Sequence, residues 1–279
     1  KSNFIFSLKN INTVGKNSSQ YDSSPQSELT SSYLFNTSFP LKKDTKKSLN
    51  TFEPKLSFRF SPHDMKNNKD INRRVDISNI YNVDRLGMGD SFESGESLTV
   101  GFDFKKEKVT YDEEIQKIED YLEFKLATVF RVNEERDMPE SSTLGGKNSN
   151  IFGELDYNPT KYLSLNYNFS IDEQLDSLEY NSLNAKLNFN NFSTRFNFLE
   201  QKGDIDTINF IENISTYAFN EENYLSFKTR RNKDLDLTEY YNLVYEYKND
   251  CLVASIQYNK NYYNDGDIKP VEELFFTIT

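Results

Sequence analysis

The chain has 279 residues, a net charge of -11 and 36% hydrophobic residues. Its mean hydropathy is -0.76, and no run approaches the roughly 18 apolar residues of a spanning helix, which excludes a helical membrane protein. The acidic balance also argues against a nucleic-acid surface, because phosphates need a basic one.

Polarity of this degree does not exclude a membrane barrel, since only one face of each strand meets lipid and a spanning strand is half polar. The 18 Tyr and 23 Phe suit aromatic girdles at two membrane interfaces, or alternatively a water-soluble core. In chain order, alternation predicts about fourteen strands near residues 3–12, 28–38, 52–61, 97–106, 120–131, 149–157, 161–172, 178–189, 192–201, 207–219, 223–231, 237–248, 251–262 and 271–279. The first residues, Lys1-Ser2-Asn3-Phe4, already lie in an alternating segment. They suggest a fragment whose natural N-terminus and signal peptide lie upstream.

The clearest strand is Leu163 to Ile171, where Leu163, Leu165, Tyr167 and Phe169 alternate with Ser164, Asn166, Asn168 and Ser170. Nine residues of that pattern are about what a tilted barrel strand needs to cross a bilayer, whereas sandwich strands are usually shorter. Period two then turns Leu163, Leu165, Tyr167, Phe169, Leu243, Tyr245, Leu252, Ala254 and Ile256 toward lipid. It turns Ser164, Asn166, Asn168, Asn242 and Glu246 to the interior.

Links between strands fall into two classes that alternate from residue 131 onward. Tight ones are Asn158-Pro159-Thr160, Asn190-Asn191, Asn220-Glu221-Glu222 and Asn249-Asp250, all rich in turn formers. Longer ones run from Glu173 to Ser177, Lys202 to Asp206, Asn232 to Asp236 and Asn264 to Pro270. In the same phase upstream lie Thr13 to Ser27, Pro62 to Glu96 and Val132 to Asn148, which are expected on the cell exterior with the short turns in the periplasm. Two expected periplasmic links, near residues 39–51 and 107–119, are longer than this rule predicts.

Three runs then carry a resemblance: Leu56-Ser57-Phe58-Arg59-Phe60-Ser61-Pro62, Asn79-Ile80-Tyr81-Asn82-Val83-Asp84-Arg85-Leu86-Gly87, and Glu93-Ser94-Gly95-Glu96-Ser97-Leu98-Thr99-Val100-Gly101. With Arg136-Asp137-Met138-Pro139, Ser142-Thr143-Leu144-Gly145 and the stretch from Thr238 to Cys251, they follow one another as in the C-terminal barrel of the LptD family, which this chain resembles along nearly its whole length. The resemblance implies an all-β, transmembrane up-and-down antiparallel barrel of about 26 strands, of which residues 1–279 would be the C-terminal half. It implies lipopolysaccharide transport and insertion into the outer leaflet of a Gram-negative outer membrane, without an enzymatic step. The partners it implies are lipopolysaccharide, outer-membrane lipids, an LptE-like plug lipoprotein and an LptA-like periplasmic bridge. The bridge would dock on an N-terminal periplasmic jellyroll that is not in this sequence.

Cys251 is the sole cysteine. By itself it reads either as a small packed residue or as a periplasmic thiol near a turn. The resemblance implies a disulfide from Cys251 to the periplasmic domain. It also makes Val271 to Thr279 the last strand, with Leu274, Phe275, Phe276, Thr277 and Ile278 at a lateral gate toward the first strand of the whole barrel. Pro270 suits a strand start or a weakly paired edge there.

Interior candidates are Arg59, Glu123, Lys125, Asn166, Asn242 and Glu246, with Ser57, Arg131 and Lys248 on the same faces of their strands. They would line a hydrophilic passage for sugar, or merely brace and solvate a wide interior. Enzymatic readings are poor: His63 is the sole histidine, beside Pro62 and Asp64, and no G-x-S-x-G elbow accompanies it. Gly87-Met88-Gly89 lacks a phosphate-loop ending, and Asp234, Asp236 and Glu239 lack calcium-loop spacing, so no cofactor or metal site is expected. A passive pore, or a soluble β-rich interaction protein, remains as the alternative to lipid transport.

Overall fold

Strict alternation becomes strand nearly everywhere in the computed structural model, which describes residues 1–18, 21–112, 115–202, 207–262 and 270–279. The strands are β1 (Ser2–Thr13), β2 (Gln26–Ser38), β3 (Leu41–Asp44), β4 (Ser48–Ser61), β5 (Gly95–Asp112), β6 (Ile115–Arg131), β7 (Ile151–Thr160) and β8 (Leu163–Ile171). They continue as β9 (Leu178–Phe189), β10 (Phe192–Gln201), β11 (Ile208–Ala218), β12 (Asn223–Asn232), β13 (Leu237–Lys248), β14 (Val253–Asn261) and β15 (Val271–Ile278). One 3-10 turn, Glu140–Ser142, is the sole helical element among the described residues. The order follows the chain from β1 to β15, except that β3 pairs only with β4.

Fifteen strands replace the expected fourteen, and the difference lies in the two links that were too long. Residues 39–51 contain β3 and the start of β4, paired from Leu41–Phe52 to Asp44–Leu49. Residues 107–119 are not a link either, because β5 and β6 keep pairing out to Asp112–Ile115, past a register shift at Lys106/Glu107. These strands reach 18 and 17 residues, nearly twice the 9–11 a tilted span requires. The predicted links at Lys202 to Asp206 and Asn264 to Pro270 lie largely outside the described residues.

The strands divide into two compact units, Lys1–Glu154 with Ser170–Leu178, and Leu155–Phe169 with Glu179–Thr279. In the first, register places Phe4, Phe35, Phe58, Leu98 and Phe130 in one row across five strands. Phe4, Phe35, Phe58 and Phe130 are all among the exposed large apolar side chains. The opposite face carries Arg59, Ser97 and Arg131 in one row, and Ser57, Thr99 and Val129 in the next.

That second face is covered. The links expected on the cell exterior from Pro62 to Glu96 and from Val132 to Asn148 bury Met65, Val75, Ile80, Leu86, Met88, Met138 and Leu144 against Ala127 and Val129 of β6 and Phe152 of β7. A loop rich in apolar side chains lowers its free energy by about 25 cal/mol per Å² of apolar surface removed from water, which favours folding onto the sheet over extending away from it. Alternation does not foretell this packing, because loop residues have no period to betray their buried side.

In the second unit the apolar row is Phe227, Leu243, Tyr258 and Leu274 across β12 to β15. The row beside it is polar at Lys186, Arg195, Lys228, Asn242, Asn259 and Glu273, with Ile214 of β11 as an apolar member between Arg195 and Lys228. Neighbouring strands therefore agree on which face is polar, as a one-residue slip anywhere would not allow.

Candidate functional site

Four charged side chains meet under the loop of the first unit. Arg59 on β4 and Arg131 on β6 flank Ser97 in one row, so their Cα atoms are about two strand spacings, roughly 10 Å, apart. Residues 62–94 bring Arg85 and Glu93 between them. Arg85 donates from Nε to Glu93 Oε2 at 2.6 Å and from Nη2 to Oε1 at 2.5 Å. Arg131 Nη1 donates to the same Oε1 at 2.6 Å, and Arg59 Nη1 lies 3.7 Å from Oε2.

All four side chains are at most 3% exposed. Burial drives the Glu93 carboxyl upward, but Arg59, Arg85 and Arg131 together overcome it and hold the group at about 2. Glu93 is the carboxylate that all three guanidiniums share, with Asp84 also acting on Arg59 and Glu135 on Arg131. Remaining N–H groups go to carbonyls and hydroxyls: Arg59 to Val83 O and Glu93 O, Arg131 to Ser94 O, Arg85 to Ser97 and Thr99. Arg59 Nη2 is buried with no hydrogen-bond partner among the described residues.

Further contacts tie the loop to its surroundings. Lys9 of β1 donates to Met88 O at 2.6 Å, pairs with Asp84 at 3.1 Å and stands over the Phe92 ring. Tyr21 bonds Asp90, and Ser94 bonds Glu135. Gly101 on β5 is tightly enclosed: an added Cβ would lie 2.3 Å from both Tyr81 Oη of the loop and Leu126 O of β6. Burial, aided by Asp103, pushes the Tyr81 phenol well above its ordinary value.

The polar face of the second unit is an amide and charge lattice. Asn166 donates to Asp156 at 2.7 Å and Asn168 to Asn166 at 2.8 Å. Glu212 accepts from Tyr240 at 2.7 Å and Asn197 at 3.1 Å, and pairs with Lys228 at 3.2 Å. A recess of about 390 to 540 Å³ occurs at each of three places, one of them, at 430 Å³, bounded by Asp156, Asn166, Asn184, Lys186 and Arg195.

Of the interior candidates, Arg59 is in the buried cluster. Lys125 lies 3.3 Å from Glu123 and 3.1 Å from Glu154. Asn242 bonds Asn259, and Glu246 is half-buried. Arg85 and Glu93 were missed as site residues, although both stand in the runs that carried the resemblance; nothing in a loop's spacing marks them as partners of Arg59.

Cys251 is exposed and free, in a turn where Asn249 Oδ1 accepts from Cys251 N at 3.0 Å. Leu274, Phe275, Phe276, Thr277 and Ile278 are all exposed in β15, which is hydrogen-bonded to β14. His63 is exposed with Nε2 3.4 Å from Ser31 Oγ. That is long for a nucleophile and its base, and no carboxylate orients the ring among the described residues. Asp234, Asp236 and Glu239 diverge to Asn209, Arg231 and Arg230.

A family model described as LptD, LPS transport system D, matches residues 6–220. No curated protein matches the sequence. Among solved structures, one variant of a Rhodopseudomonas blastica porin aligns over 97% of this chain and 88% of its own, at 11% identity and a TM-score of 0.37. Another variant of that porin aligns over 99% and 94%, at 10% identity and a TM-score of 0.35.

Proposed function

The chain belongs to the LptD family, and on that premise we propose that it forms part of the barrel wall through which lipopolysaccharide enters the outer leaflet of a Gram-negative outer membrane. The family match carries this reading; the two-faced sheet supports it. Rows such as Phe4, Phe35, Phe58, Leu98 and Phe130 suit acyl chains, and the polar rows suit hydrated sugar. No bond is made or broken on this route, and the driving energy comes from machinery upstream.

The intact protein is then expected to enclose an LptE-like lipoprotein and to receive its cargo from an LptA-like bridge docked on the family's periplasmic domain. β15 is the strand that would open for lateral release. The apolar loop packing over β6 and the start of β7 favours a closed interior over a passive pore.

Depletion of the intact protein in its own host, followed by pulse-labelling of lipopolysaccharide, tests the reading. Newly made lipopolysaccharide should stop reaching the cell surface within a few generations, while other barrels still assemble. Arrival at the normal rate after depletion would reject it.

A further inference from the structure

Strands β3 to β6 of the first unit run on past their last apolar row, and their two faces differ in charge there. On the face that carries Phe58, that last row is Leu41, Phe52, Phe104 and Phe124. Its rings pack through Phe102 of the row before, 5.3 Å from Phe52 and 5.8 Å from Phe124 between centroids. The next row on the same face holds Lys43, Asn50 and Lys106, and the one after it Ser48 and Lys108.

Period two thus splits the run Lys105-Lys106-Glu107-Lys108 between opposite faces. Asp44 and Glu107 share a row on the other face, where Lys105 pairs with Glu107 at 3.3 Å and with Asp120 at 2.9 Å. On the apolar face, Glu119 shares the row of Lys108 and pairs with Lys117 at 2.9 Å. Lys43, Lys106 and Lys108 make no ion pair among the described residues; Lys106 stands over Tyr121, 5.6 Å from the ring centre. Lys106 and Lys108 are about 7 Å apart along the strand, within a Debye length of about 8 Å at physiological salt, so they repel unless counter-charge lies against them. In a chain with 44 acidic and 33 basic side chains, a face of this sign runs against the average composition.

We propose that Lys43, Lys106 and Lys108 bind the headgroups of acidic glycerophospholipids in the periplasmic leaflet, just past the aromatic row. Phe52, Pro54, Leu56, Phe58 and Phe60 occupy successive positions of the apolar face of β4 and extend about 26 Å along it. That is close to the height of the apolar band of an outer-membrane barrel, about 25 Å, so the lysines fall at the headgroups and not among acyl chains. A lysine stem lies along apolar surface while its ammonium reaches a phosphate, and a cluster of lysines beside the hydrocarbon attracts acidic lipid. A phosphate diester without an amine of its own keeps its full negative charge for them, which favours an acidic headgroup over a zwitterionic one. Both the contact with lipid and the choice of leaflet rest on the barrel-wall reading above.

The test uses the full-length protein carrying Phe52→Trp, folded into phosphatidylcholine vesicles that contain brominated phosphatidylcholine or brominated phosphatidylglycerol at equal mole fraction. Quenching of the added tryptophan, taken as the difference from protein with Phe52, should be about twofold greater with the brominated phosphatidylglycerol. The preference should vanish when Lys43→Ser, Lys106→Ser and Lys108→Ser are combined, survive the three Lys→Arg replacements, and fall in high salt. Because Lys43 and Lys108 are exposed, the serine variant should keep the heat-induced gel shift of the barrel; the salt dependence of the unsubstituted lysines decides the matter if it does not fold. Equal quenching by the two lipids would overturn the proposal and leave the lysines to an acidic protein segment. A preference that outlives the serine variant, or that high salt leaves undiminished, would overturn it as well. Quenching by neither lipid would overturn the barrel-wall reading, and this proposal with it.

Discussion

Arg85 and Glu93 form a two-pronged ion pair, Nε to Oε2 at 2.6 Å and Nη2 to Oε1 at 2.5 Å, with both side chains 1% exposed. A buried pair of this kind contributes little net stability in isolation, because desolvation offsets attraction. Its weight here comes from Arg59 and Arg131, which depend on the same carboxylate. Removing Glu93 would strand three buried cations in one place, so the loop of residues 62–94 and strands β4 and β6 are conditional on one side chain.

Acid should therefore loosen the loop. Glu93 titrates at about 2 in the folded protein, against an ordinary 4.5, and a depressed folded value means that its contribution is complete above about 4.5 and is lost as pH falls toward 2. The difference corresponds to roughly 3 kcal/mol. Hydrogen exchange at residues 85–94, corrected for intrinsic rates, should accelerate between pH 4.5 and pH 2.5. Glu93→Gln should expose the same amides already at pH 7, at a cost of about 3–5 kcal/mol, and should abolish the acid dependence. Flat exchange across that window in the wild type would remove Glu93 as the fastener.

Gly101 has no room for a side chain between Tyr81 of the loop and Leu126 and Ala127 of β6. In Gly101→Ala the new methyl would sit 2.3 Å from Leu126 O and 2.8 Å from Ala127 Cβ, and backbone cannot yield as a flexible side chain can. The expected cost is about 1–3 kcal/mol or more. Tyr81→Phe should instead be neutral or mildly stabilising, since the Tyr81 hydroxyl is buried with no partner among the described residues. Thermal unfolding of the two variants side by side checks both; a benign Gly101→Ala would mean that the contact is looser than the geometry states.

Much of this architecture was legible. β9, β10 and β13 begin and end at the residues that alternation selected, Leu178–Phe189, Phe192–Gln201 and Leu237–Lys248, helped by the turn-forming Asn190, Asn191 and Asn249 that bound half of their ends. β3 was not, since Leu41-Lys42-Lys43-Asp44 has no apolar and polar face to read. The charged run from Lys105 to Lys108 hid the far half of β5 in the same way. Period two found Arg59 and Arg131; Arg85 and Glu93 escaped because a loop's long-range partners leave no local signal.

Face assignment can be tested within one strand. Leu243 lies in the apolar row with Phe227 and Tyr258 and is 40% exposed, whereas Asn242 bonds Asn259 on the other side. Leu243→Arg should cost about 2–4 kcal/mol if its row meets the middle of a bilayer, and Asn242→Arg much less. Folding yield into phospholipid vesicles reports the difference. Equal yields would show that the apolar face does not meet lipid.

Exposure of Cys251 in a fixed turn suits a thiol presented to another segment of the intact protein. If the family disulfide forms, the full-length chain should migrate differently on reducing and non-reducing gels. Cys251→Ser should remove the difference and slow complex assembly while preserving the barrel. Identical migration of the wild-type protein under both conditions would eliminate the bond.

β15 is the final element to test. It holds β14 through pairs from Asn261–Val271 to Ala254–Ile278, closed at its end by reciprocal bonds between Val253 and Thr279 at 2.9 Å. Its other edge has no paired strand among the described residues, and Phe276 and Ile278 are 70% and 76% exposed. A lateral gate requires this contrast, a strand firmly held on one side and weakly on the other, since each ladder bond across a seam must break for lipid to pass. Cysteines placed in β15 and in the first strand of the intact barrel, at facing positions, should stop lipopolysaccharide reaching the surface once oxidised, and reduction should restore it. Normal export from fully cross-linked, correctly folded protein would rule out release at this seam.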